Sequence, residues 1–202
     1  MIDEPKSLGD AKIREERLKL LNQEHIQPLT DFVHKMRKEK ELADEIPFFD
    51  PLDGGVNARC LFVMESPGKK ANASGFISRN NPDPTAENLF NFFKEAGIPR
   101  SQTVLWNIVP WSTEYAKHTP EVSSGTYYLK EFLMLLPNLE AVVFSGLTSQ
   151  RAIPELEQYL GDRKIEIIKC WHPGNLAQKQ PNKKLETIEA FEKLAALLQI
   201  PS

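Results

Sequence analysis

Cysteine is scarce in this chain of 202 residues, and the only two, Cys60 and Cys170, both fall inside strand-like apolar runs. That number excludes a disulfide framework and a four-cysteine metal or iron-sulfur site. An excess of positive charge is also missing, since 25 Lys and Arg stand against 28 Asp and Glu, a formal net charge of -3. General affinity for nucleic acid, which rests on neutralising phosphates, gains nothing from that sum. No apolar run reaches membrane-spanning length, and the charged start Met1-Ile2-Asp3-Glu4-Pro5-Lys6 lacks the apolar stretch of a secretion signal. A reduced, soluble, cytoplasmic protein is expected. Neither a Gly-rich phosphate loop nor a Gly-x-Ser-x-Gly turn is present, which ranks a hydrolase or transferase acting on nucleotides or small molecules last among the readings below.

The 41% apolar share suffices for one domain, spanning 1–202, with a full core. Residues 8–42 are charged but carry Ile26, Leu29, Phe32, Val33 and Met36 at helical spacing. Residues 1–45 therefore read as a helical extension packed on the core. Two prolines and Gly54-Gly55 then stop the helix, and Asp50, Asp53 and the glycine pair are expected to form a turn. Strand patterns follow at 59–65, 103–109, 141–145 and 165–170, alternating with helical patterns at 85–96, 120–136, 147–160 and 185–198. Gly125 weakens the start of the second helix, and Pro154 interrupts the third. Such alternation predicts an α/β fold, with a mostly parallel sheet of about four strands and helices on both faces.

Open α/β sheets bind ligands outside the carboxyl ends of their strands. The polar motifs all stand there: Met64-Glu65-Ser66-Pro67-Gly68 after the first strand, Asn107 to Trp111 at the second, Ser145-Gly146 at the third, and Trp171-His172-Pro173-Gly174-Asn175-Leu176 after the fourth. A carboxylate or hydroxyl from Glu65 or Ser66, the Asn107 amide and the His172 imidazole would then share one rim. Phe76, Trp106, Trp111 and Trp171 add flat surfaces. An amide with an aromatic plate suits a planar base read by its edge and its face. An imidazole suits charge developing on a departing base. Plainer roles exist beside these: Glu65 as a helix cap, Asn107 as a buried structural amide, Phe76 as an anchor for its loop, and Lys69, Lys70, Arg79, Lys179, Lys183 and Lys184 as solvated surface. Nothing converges on His25, His34 or His118.

Over roughly residues 50–200, the strand-end Pro motif, the later Asn and the His-Pro loop together resemble the uracil-DNA glycosylase superfamily. The resemblance implies hydrolysis of the N-glycosidic bond of a deaminated base in DNA, uracil first, by a monomer needing no metal or organic cofactor. Its partner would be DNA containing a damaged base. It also implies roles. Phe76 would stack on the extruded base and Asn107 read its edge, with Pro67 and Gly68 bordering it. His172 would hydrogen-bond the base oxygen, while Leu176 or Asn175 fills the gap in the duplex. Main-chain amides at Gly68 and Gly174 would hold phosphates, and Lys69 would meet the DNA. The first motif departs from the family pattern, because Ser66 stands where Asp or Asn usually precedes the proline. Glu65, one residue earlier, matches the iron-sulfur branch, whose four cysteines are absent. Strand alternation sends Glu65 and Ser66 to different sides. An inactive or weakly active damaged-base-binding protein, or a glycosylase for hypoxanthine or xanthine, stays open.

Overall fold

Runs of apolar residues that alternate their partners build the centre of the molecule, seen in a computed structural model that describes residues 2–42, 45–113 and 116–200. Met1 and residues 43–44 of the expected extension, with 201–202 at the far end, lie outside the described residues. The strands are β1 (Phe48–Phe49), β2 (Cys60–Met64), β3 (Phe76–Ile77), β4 (Thr103–Asn107), β5 (Ala141–Ser145) and β6 (Glu166–Cys170). The helices are α1 (Ala11–Leu18), α2 (Gln27–Lys40), α3 (Lys69–Ser74), α4 (Pro84–Glu95), α5 (Thr119–Leu133), α6 (Leu147–Gln150), α7 (Ile153–Leu160), α8 (Asn175–Gln178) and α9 (Pro181–Leu197). Four strands form an all-parallel sheet in the order β4-β2-β5-β6, and β1 pairs with β3 in a separate parallel ribbon.

The period of two along each strand feeds two cores. Leu61, Val63, Val104, Trp106, Val142 and Phe144 pack on one face against α2, α5 and α7. Cys60, Phe62, Leu105, Val143, Ile168 and Cys170 pack on the other against α4 and α9. Both cysteines are free and buried. Burial pushes both thiols up, Cys170 to about 12, so neither serves as a ready nucleophile. Helix α2 buries Leu29, Phe32, Val33 and Met36, as its periodicity predicts. No helix among the described residues is long and apolar enough to cross a membrane.

Three details differ from the sequence pattern for identifiable reasons. Helix α9 starts at Pro181 rather than 185, because its first turn is polar and shows no apolar period, while proline fits a first turn. Pro154 likewise lies in the first turn of α7 instead of breaking a longer helix, and the chain bends at 151–152. Gly125 sits where α5 crosses the loop after β4, so closely that a Cβ there would lie 1.6 Å from the Ile108 carbonyl oxygen. Gly125→Ala is expected to cost about 3 kcal/mol or more, a fall in Tm of about 6–12 °C by thermal unfolding. An unchanged Tm would mean that α5 is free to move off this loop.

The Asp50 turn forms, with the Asp53 amide donating to the Asp50 carbonyl at 3.0 Å, yet its carboxylates are more than turn residues. Arg17 of α1 and Asp50 are both fully buried and paired, and Arg100 and the Ser78 hydroxyl also donate to Asp50. Burial alone would raise the Asp50 pKa, but Arg100 and Arg17 turn the shift downward. Asp53 is pushed up to about 6 by burial, against the pull of Arg100 and Arg79, and its Oδ2 lacks a partner. Sequence pattern shows none of this, since the charges come from four separate segments.

Candidate active site

A cavity of about 300 Å3 opens outside the carboxyl ends of β2 and β4. Asn107, the last residue of β4, lines it and is only 2% exposed, and its Oδ1 has no hydrogen-bond partner. An unpaired buried amide oxygen costs free energy, which marks Asn107 as a polar group of this wall with hydrogen-bonding capacity left over. Met64, Ile77 and Leu89 supply apolar wall, and Ser66, Pro67, Gly68 and Lys69 border it from the loop after β2.

His172 forms the partition between this cavity and a second, of about 530 Å3. The Gly174 amide, expected to hold a phosphate, donates instead to His172 Nδ1 at 3.0 Å, which leaves the proton of the neutral imidazole on Nε2. Burial lowers the His172 pKa, opposed by Glu65 and Asp83 and assisted by Lys117, so the neutral ring is favoured. Two glycines permit this placement. A Cβ on Gly174 would stand 2.9 Å from His172 Nδ1, and one on Gly146, whose φ is +88°, would stand 3.3 Å from His172 Cβ. The loop is tied further by Asn88 of α4, donating to the Pro173 carbonyl at 2.7 Å, and by Gln178, donating to the His172 carbonyl at 2.9 Å.

Glu65 lines the second cavity, where Thr148 donates to its Oε2 at 2.6 Å, whereas Ser66 lines the first. The two neighbours thus face opposite sides of His172, as alternation predicts. Gly174 and Leu176 also border the second cavity, with Lys117 and Lys183 among the cations. Leu176 is 88% exposed, while Asn175 turns toward α4, its Oδ1 accepting from Asn88 at 3.1 Å. Trp171 lies beneath Lys183, 4.3 Å from its ring centre, and donates to Glu186.

Phe76 needs correction. Its ring is fully buried against Leu8 and Leu21, away from the cavity. The reason is the pairing of β3 with β1: alternation turns Phe76 toward the N-terminal segment and gives Ile77 to the cavity wall. Trp106 is equally internal, stacked on Phe49 at 4.6 Å, and the buried Trp111 donates to Glu121. Sequence reasoning missed Asp83 and Thr85 in the first cavity and Lys117 and Thr148 in the second. Asp83 carries a detectable signal as the cap before Pro84, accepting from the Ala86 amide, but that signal marks a helix start and not a site.

A parallel sheet with a largely apolar cavity at its carboxyl end, and an amide and an imidazole on the wall of that cavity, has the arrangement of an α/β ligand site. The model of the uracil DNA glycosylase superfamily matches residues 51–195, and the chain belongs to that superfamily, whose members are generally glycosylase hydrolases. Helices α1 and α2 precede the matched stretch. No curated protein matches the chain.

Proposed function

We propose that the protein is a DNA glycosylase that hydrolyses the bond between a deaminated base, uracil first, and deoxyribose. The observation that carries this reading is the shared wall: Asn107 and His172 meet in one cavity, and His172 alone of the polar strand-end residues borders both. The base would enter the Asn107 cavity and the sugar the Glu65 cavity, which puts the bond to be cut beside the imidazole. As that bond breaks, its electrons pass to the base, and the Nε2 proton of His172 hydrogen-bonds the oxygen on which the charge gathers. On the other side, the Glu65 carboxylate steadies the positive sugar and takes a proton from the water whose oxygen bonds to C1′. The released base is reprotonated from solvent. Leu176 stands ready to fill the space the base leaves, and Lys117 and Lys183 to meet phosphates.

A second reading, binding of a damaged base without cleavage, is favoured by Ser66 at the usual acidic position. An oligonucleotide with one uracil separates the two. The enzyme produces an alkali-labile abasic site that Asn107→Ala loses, whereas a binding module retains the oligonucleotide and yields no abasic product at any protein concentration.

The pH dependence has a definite sign. Neutral His172 is the working form, and its pKa lies below the ordinary 6.5, so protonation takes hold only at lower pH. The acid-side loss of kcat due to His172 is therefore expected below pH 6.5. An acid limb centred above 6.5 and abolished in His172→Gln would show the ring to be held cationic instead.

A further inference from the structure

We propose that Thr148 is a positioning residue that holds the Glu65 carboxylate on the sugar side of the cleaved bond; the proposal rests on the glycosylase reading. Thr126 and Thr187, inside longer helices, return their hydroxyls to the carbonyl one turn back, on Val122 at 2.7 Å and on Lys183 at 2.7 Å. Thr148 does otherwise. Its hydroxyl donates to Glu65 Oε2 at 2.6 Å, the length of a charge-assisted bond.

The turn that carries it is tied on several sides. Ser149 donates its hydroxyl to the Ser145 carbonyl at 2.9 Å and to the Gly146 carbonyl at 3.0 Å, and Gln150 reaches the Cys170 carbonyl at 3.0 Å. The main chain of Glu65 is fixed too, its carbonyl accepting from the Val109 amide at 3.0 Å. Gly146, two residues before Thr148, lies against His172. The β5–α6 turn therefore touches both halves of the site: it backs His172 through Gly146 and grips Glu65 through Thr148. One carboxylate oxygen is committed to that grip, and Oε1 is left to approach water. A free glutamate side chain samples many rotamers, and holding it in one geometry is the contribution expected of a positioning contact.

The test compares Thr148→Val, which keeps the shape and deletes the hydroxyl, with Thr148→Ser, which restores it. The readout is multiple-turnover cleavage of a uracil oligonucleotide, with kcat and KM resolved. Thr148→Val is expected to lower kcat about tenfold to a hundredfold with KM little changed, and Thr148→Ser to recover to within about threefold of wild type. In a Glu65→Ala background the valine substitution adds no further loss, because the acceptor is already gone. Wild-type kcat in Thr148→Val, or an undiminished loss in the Glu65→Ala background, overturns the proposal alone. A wild-type protein that cleaves nothing overturns the glycosylase reading and this proposal with it, and is recognised because the unsubstituted chain itself is silent.

Discussion

His172→Ala lowers the rate of base release about 100-fold to 1000-fold, the loss expected when one preorganised donor to developing negative charge is removed. The effect falls on kcat, since the hydrogen bond to the base oxygen strengthens as the bond breaks. His172→Gln, which places an amide N–H in the same region, is expected to recover part of the loss. The measurement is rapid-quench cleavage of a uracil oligonucleotide, paired with thermal unfolding of each variant. Losing His172 also strips the Gly174 amide of its acceptor, so a modest fall in Tm accompanies the kinetic defect. A variant that cleaves within about threefold of wild type would reduce His172 to a loop tie.

Asp50→Ala is expected to cost about 3–5 kcal/mol of stability, a fall in Tm of about 6–20 °C. The magnitude follows from what stays behind: Arg17 is fully buried, and its guanidinium would lose the carboxylate it faces. Arg100 and the Ser78 hydroxyl lose the same acceptor, and Ser78 lines the first cavity, so the damage reaches the site. Arg17 belongs to α1, which precedes the stretch matched by the family model. The N-terminal segment is thus an internal support of the first cavity: it supplies the counter-charge below Ser78 and the apolar cover over Phe76. Urea unfolding checks the figure, and a loss below about 1 kcal/mol would show that water reaches Arg17 once Asp50 is gone.

The sheet and most of the rim were legible from the sequence because their signals are local. Each central strand is a short apolar run ending in a polar motif, and the switch at Glu65 and Ser66 follows from a period of two. Asn107 and His172 could be brought together by the rule that parallel sheets bind at their carboxyl ends. Phe76 could not be placed, since its direction depends on pairing with β1, a two-residue strand without a pattern of its own. Thr148 and Asp83 were out of reach for a similar reason. Their importance lies in what faces them across the fold, Glu65 in one case and His172 in the other, and no spacing along the chain encodes that. The ion cluster around Asp50 was hidden because Arg79 reads as surface charge and no pattern along the chain marks Arg17 or Arg100 as its companions.

The most direct test of the account is a structure of the protein bound to an oligonucleotide carrying one 2′-fluorinated deoxyuridine, whose glycosidic bond resists cleavage. The expected result is a uracil ring extruded into the cavity of Asn107, one carbonyl oxygen within hydrogen-bond distance of His172 Nε2, and C1′ facing Glu65 in the second cavity. A base left stacked in the DNA, or seated with no contact to Asn107 and His172, would contradict it.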